Sequence, residues 1–483
     1  MDPELLSRIQ FAFTASFHFI FPPLSMGLGL MLLVVSGAYL RTRDPKWRRL
    51  AFFWTKVYGL IFALGVATGV VQEFEFGMNW ADYSRFVGNV FGSLLAAEGV
   101  FAFFLEGGFL GLMLFGGNRL GPRLWFFATL MVVVGAHFSA LWIIMANSWM
   151  QTPQGFEVVT DPAPVRAVMT DFGQVVFTPS FLPRLLHVFI ASWTAGSALM
   201  LSVSAWYVLR GRHLDLAKSN FSLVLPFFIV LTISNVVLFG ANQAIEVTHQ
   251  QPLKLASMEG LWQGTTCAPL YLFGWVDTAT QTTHGLSIPC LLSVLAYFNP
   301  QAYVQGLNDF PGAPVPPIAL LFQVYHLMFM LGSLFVPVGL LGGLFWFLKK
   351  GDKGDADRPR RIWEARPVLW LFVITVFFVE VAIIAGWWTA EIGRQPWVVY
   401  NVLLTADGVS PLLSAGEVIA SLGMFVLLYA LLLVLFLYLL NAKIQVGPEP
   451  LEEVETVEVS SLPDTFREIF RRRDRADVRE DPS

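Results

Sequence analysis

The chain has 483 residues, of which 55% are hydrophobic and only 14% charged, with a mean hydropathy of +0.61. Soluble domains carry about one-quarter charged residues, so a water-soluble globule is excluded. The net charge of -4 is small for this length; it selects neither an acidic nor a basic partner, and no nucleic acid is expected.

Crossing a hydrocarbon core of about 30 Å takes roughly 20 helical residues. Apolar runs of that length recur along the chain and predict nine spans, over 14–40, 52–77, 91–115, 124–147, 184–208, 218–240, 318–348, 368–388 and 413–440. The runs are continuous, whereas barrel strands alternate over about 10 residues, so the expected fold is an all-α polytopic membrane protein. Residues 1–10 are acidic and polar without a basic stretch, and no cleavable signal is expected there.

In chain order, His18 lies in the first span, Glu98 and Glu106 in the third, His137 in the fourth, and His187 opens the fifth. Segment 241–317 is too long for a simple connection and rich in Pro, Gly, Gln and Thr, so it is expected to be a functional outer loop. It carries both cysteines, Cys267 and Cys290, which an oxidising compartment would allow to pair. Neither lies in a C-x-x-C-H motif, so covalently attached haem is not expected. His326 and Met328 lie on the seventh span, Glu380 and Glu391 on the eighth and its exit, and Glu417 opens the ninth. The chain thus divides into 1–240 with six spans, the loop 241–317, 318–440 with three spans, and a solvated tail 441–483.

Basic residues orient the bundle. All but seven of the 31 Lys and Arg fall in 41–49, 116–123, 209–218, 349–366 and the tail. By the positive-inside rule these are cytoplasmic, which puts the N-terminus outside and the C-terminus in the cytoplasm. A charge or imidazole in hydrocarbon costs several kcal/mol unless paired, neutralised or metal-bound, so each one is a functional candidate. At about 1.5 Å per helical residue, His18, Glu98, His187, Met328 and Glu391 all fall in the outer half. That shared layer suits a cofactor plane, and histidine, methionine and carboxylate are all iron ligands. The carboxylates Glu98, Glu106 and Glu380 would equally suit a secondary transporter or ion channel, so composition leads to redox or transport and no further.

Local motifs go further. Glu391-Ile392-Gly393-Arg394-Gln395-Pro396-Trp397, preceded by Gly386-Trp387, resembles the GRQPW signature of cytochrome bd-type quinol oxidase subunit I. Arg8-Ile9-Gln10-Phe11, Glu73-Phe74-Glu75-Phe76-Gly77-Met78-Asn79-Trp80, Glu98-Gly99 with Phe103-Phe104-Leu105-Glu106, Ser139-Ala140-Leu141-Trp142 and Ser204-Ala205-Trp206-Tyr207 match that family as well. The resemblance spans roughly residues 5 to 440 and implies nine helices with an outer N-terminus.

The resemblance implies a terminal oxidase of the bacterial inner membrane that oxidises membrane quinol at the outer face and reduces O2 to water. It implies that His187 and Met328 ligate a low-spin haem b. Since His326 and Met328 stand about 200° apart on one helix, only one of them can face His187, and the family pattern selects Met328. It further implies that His18, Glu98 and Glu391 give axial contacts to a high-spin haem b and to the oxygen-site haem, which is haem d or a further haem b. Arg394 would neutralise haem propionates and Trp387 would pack at a ring edge. Lys254-Leu255-Ala256-Ser257-Met258-Glu259 resembles the quinol-binding segment in its compact form, with Glu259 as base and Lys254 as hydrogen-bond donor. Protons taken from the cytoplasm would generate a proton motive force without pumping. Glu106, about 12 Å deeper than Glu98 and about 80° around the helix, would extend a carboxylate relay bordered by Ser139 and His137. A second integral membrane subunit II, and a small single-helix subunit, are the implied partners.

Overall fold

The computed structural model describes residues 2–99, 104–116, 120–161, 163–348 and 360–449, with residues 93 and 97 by backbone alone. Its helices start where the sequence supplies caps. Asp2 accepts from the Glu4 backbone N–H at 3.0 Å with Pro3 in the first turn, opening α1 (Pro3–His18). After α2 (Phe21–Thr42), Arg43 turns left-handed at φ 59°, and Asp44 with Pro45 opens α3 (Pro45–Met78) in the same manner. There follow α4 (Ala81–Ala97), α5 (Phe104–Phe115), α6 (Pro122–Gln151), α7 (Phe181–Arg210) and α8 (Leu214–Ser234). A π-helical turn, Asn235–Gly240, joins α8 to α9 (Ala241–Gln250), and α10 is Pro252–Glu259. A hairpin of β1 (Leu270–Asp277) and β2 (Thr282–Ile288) precedes α11 (Ile318–Phe347), α12 (Arg366–Ile392) and α13 (Ala415–Val446).

Among the described residues, 8 stretches are long and apolar enough to cross a membrane, α1–α2 and α8–α9 each forming one stretch. Each coincides with an expected span. The ninth, 91–115, is represented by the end of α4 and by α5, with residues 100–103 between them outside the described residues. Phe103 of the motif and the basic residues of 349–359 and 450–483 also lie outside the described residues.

The bundle is organised on the crossing of α2 and α7. A Cβ at Gly27 would stand 2.0 Å from the Ser192 carbonyl oxygen, and one at Gly196 would stand 2.0 Å from the Gly27 carbonyl carbon. The helices therefore touch backbone to backbone, which small residues permit in membrane interfaces. The serines and threonines of α7 are satisfied within the bundle: Ser197 donates to the Trp193 carbonyl at 2.8 Å and Ser202 to the Val373 carbonyl of α12 at 2.7 Å. Tyr58, Trp54, Phe221, Phe228 and Phe372 fill the space around them.

The segment expected as an outer loop is an ordered cap. Its first ten residues continue the membrane helix as α9, since the wide turn keeps the chain helical. Cys267 and Cys290 form a disulfide across the base of the hairpin, beside the Leu270–Ile288 pair. Thr283 donates to the Gly260 carbonyl at 2.6 Å, fixing the end of α10, and Gln323 of α11 donates to the Gly274 carbonyl at 2.8 Å, fixing the hairpin to the bundle.

Candidate functional site

All ten residues singled out as site candidates line one cavity of about 1750 Å³: His18, Glu98, Glu106, His187, Lys254, Glu259, Met328, Trp387, Glu391 and Arg394. Pockets for single small ligands run to roughly 1,000 Å³, so this space suits several large groups. Its walls draw on every helix from α1 to α12 and are mostly apolar.

Several of these side chains rest on glycines. A Cβ at Gly69 of α3 would stand 3.2 Å from His18 Cε1, one at Gly240 in the π-turn 3.4 Å from His187 Cε1, and one at Gly386 3.0 Å from Met328 Sδ. At Gly393 it would stand 2.5 Å from Lys254 Cε. His18 Nδ1 lies 2.9 Å from Thr68 Oγ1, while His187 Nδ1 is buried without a hydrogen-bond partner among the described residues.

At the C-terminal end of α12 the Arg394 guanidinium pairs with Glu391, whose other oxygen accepts from Asn147 Nδ2 at 2.7 Å. Asn147 Oδ1 accepts in turn from Arg184 at 3.1 Å. Lys254 Nζ donates to Gln151 Oε1 at 3.0 Å and to the Ala390 carbonyl at 3.1 Å. Burial pushes the Lys254 ammonium well below the usual lysine range; Arg184 and Arg394 add to that, and Glu391 and Glu246 oppose it. Three cations thus stand with two carboxylates, and Arg184 Nε and Arg394 Nη1 are buried without partners among the described residues. Unpaired buried donors of this kind call for an anion. A large, mostly apolar group bearing carboxylates suits this wall.

Elsewhere on the wall, Ser139 donates to Glu98 Oε1 at 2.5 Å. Glu259 is 1% exposed, and neither of its carboxylate oxygens makes a hydrogen bond among the described residues. Burial pushes its carboxyl up to about 8, a rise that Tyr325 opposite only partly offsets. Lys254 and Glu259, five residues apart on α10, project about 140° apart, and the structure brings Lys254 to Glu391 and Arg394 rather than to Glu259. Trp387 packs on Phe11 with ring centroids 6.0 Å apart.

Other conspicuous side chains stay off the cavity. His137 Nδ1 lies 2.7 Å from the Val133 carbonyl, and Trp193 donates to its Nε2 at 2.9 Å. His326 lies on Phe322 with centroids 3.9 Å apart. Glu417 forms a capping box with Ser414 at the start of α13, and Glu380 is absent from the cavity lining. Asn147, Gln151, Arg184 and Tyr325 were not singled out from the sequence. The signal was Asn147 and Gln151 spaced i, i+4 at the polar end of an apolar run, on one face of α6. Among the described residues no group of three or more His, Cys, Asp or Glu could hold a bare metal ion.

The sequence model of the family described as "Cytochrome bd terminal oxidase subunit I" matches residues 6–448. The chain is 33% identical over 514 residues to "Cytochrome bd-II ubiquinol oxidase subunit 1" of Escherichia coli (strain K12), covering 92% of this chain and 97% of that one. It is 34% identical over 460 residues to "Cytochrome bd ubiquinol oxidase subunit 1" of Bacillus subtilis (strain 168), covering 93% and 95%. The bd oxidase structure from Geobacillus thermodenitrificans superposes with a TM-score of 0.83 at 29% identity, over 92% of this chain and 99% of that chain.

Proposed function

The chain belongs to the cytochrome bd terminal oxidase subunit I family, and from that premise we propose that it oxidises membrane quinol at the periplasmic face and reduces O2 with cytoplasmic protons. It is a multi-pass, haem-binding membrane protein and a quinol:oxygen oxidoreductase. The observation that carries the finer reading is the single cavity shared by all ten candidates, with unpartnered cationic donors at its outer end.

His187 and Met328 would hold a low-spin haem b, and His18, Glu98 and Glu391 a high-spin haem b and the oxygen-site haem, of d or b type. Bound haem iron supplies electron storage and O2 binding. The chain's own groups do the rest. Arg394, Arg184 and Lys254 would bind carboxylate side arms, with Glu391 and Asn147 holding the two arginines in register. Glu259 would accept a quinol proton and release it outside. Glu98, with its Ser139 hydrogen bond, and Glu106 would pass protons inward from the cytoplasmic side. Charge separation across the membrane then follows from sidedness alone, without a pump. The setting is the bacterial inner membrane, with subunit II and a small single-helix subunit as partners.

The test is a reduced-minus-oxidised optical spectrum of the purified complex. It should contain b-haem bands that develop on adding quinol, with a further red band if the oxygen site holds haem d. His187→Ala and Met328→Leu should each abolish the low-spin b component; an unchanged spectrum in both would remove those ligands.

A further inference from the structure

A second residue at the donor site emerges from what surrounds Glu259, and it rests on the reading of Glu259 as the quinol base. Glu259 ends α10, is 1% exposed, and lines the cavity with both carboxylate oxygens free of hydrogen bonds among the described residues. Its helix neighbour Lys254 is engaged by Gln151 and Ala390. Tyr325 of α11, 8% exposed and lining the same cavity, is the titratable group that acts on it; no charged side chain from α10, α11 or the hairpin does so. Both residues stand on fixed supports. Gly260, left-handed at φ 59°, ends α10 and accepts from Thr283, and Gln323, two residues before Tyr325, is tied to Gly274. Met258, Leu255, Leu292 and Phe329 supply apolar wall.

We infer that one quinol oxygen is held between Glu259 and Tyr325, its hydroxyl donating to the carboxylate and accepting from the Tyr325 hydroxyl. Tyr325 stands close enough to bear on the Glu259 carboxyl, and both side chains line the cavity, so an oxygen entering from the cavity side can bond to both. On oxidation the quinol O–H bond breaks and its proton passes to ionised Glu259 ahead of the electron, which goes to the acceptor that the proposed activity supplies; a second proton and electron, the proton from the other quinol oxygen, complete the conversion to quinone. Tyr325 keeps its own proton, and its hydrogen bond tightens on the oxygen left behind. A donor aimed at developing negative charge lowers the barrier as well as aiding binding.

The experiment compares Tyr325→Phe and Glu259→Gln in the purified complex with a water-soluble benzoquinol. Loss of one hydrogen bond should raise KM about fivefold and lower kcat, with haem content and the dithionite-reduced spectrum unchanged. Calorimetric titration with a quinone-analogue inhibitor should weaken by a similar factor, a readout that needs no turnover. Should Tyr325→Phe lose haem, Tyr325→His, which keeps a ring N–H donor, takes its place and should hold inhibitor affinity within about twofold. Wild-type KM, kcat and inhibitor affinity in Tyr325→Phe, with Glu259→Gln inactive, would overturn the inference and leave the base reading standing. Full turnover in Glu259→Gln would overturn the base reading itself.

Discussion

Glu98, held by Ser139 at 2.5 Å, and Glu106 share the cavity wall, which suits a relay of carboxylates. In a correctly inserted enzyme, Glu98→Gln or Glu106→Gln should slow oxygen-side chemistry by an order of magnitude or more, as loss of a positioned proton donor does. Stopped-flow mixing should still show quinol reducing the low-spin haem at its normal rate. Normal turnover in both variants would exclude the relay. Glu259 gives a prediction in pH. Its carboxyl, ordinarily at 4.5, stands at about 8 in the folded chain, so folding favours its protonated form. That contribution to stability is complete below about 4.5 and is lost as the pH rises through about 8. Scanning calorimetry should show Tm falling across this window in the wild type and less steeply in Glu259→Gln. At this scale the residue types and motifs were legible because chemistry limits what membrane interiors tolerate. Their partners were not: Asn147, Gln151 and Tyr325 come from elements distant in sequence, and only packing reveals whom they touch.

Among the helices, the α2–α7 crossing depends on two glycines. Gly27→Val would drive a branched side chain into the Ser192 carbonyl and Gly196, and overpacking of this kind typically costs 1–3 kcal/mol or more. Gly423→Val on α13, where a Cβ would meet nothing within 4 Å, is the control. Detergent-solubilised Gly27→Val should lose several degrees of Tm relative to it. Eight expected spans match described helices because continuous hydropathy is a strong signal over twenty residues. The ends were less visible. α9 extends its span to Gln250 through residues rich in Asn, Gln and Glu, which hydropathy reads as loop although the backbone stays helical.

For the molecule as a whole, the cap that follows α9 and the helical bundle should separate in stability. The Cys267–Cys290 bridge closes a segment of 23 residues, and a loop of that size is worth about 3 kcal/mol. Cys267→Ser with Cys290→Ser should therefore speed proteolysis between 260 and 317, read by mass spectrometry, while protection of α2, α7 and α12 is unchanged. Uniform destabilisation would mean that cap and bundle unfold together. The π-turn Asn235–Gly240 governs how the two parts are clocked. Widening a helix by one residue advances everything beyond it by about 100°. The azimuth of α9, and so the side on which α10 and its Glu259 arrive, is set by the residue count in a single turn beside His187. Removing one residue there would turn α9, itself part of a membrane-spanning stretch, against α7 and carry the cap with it.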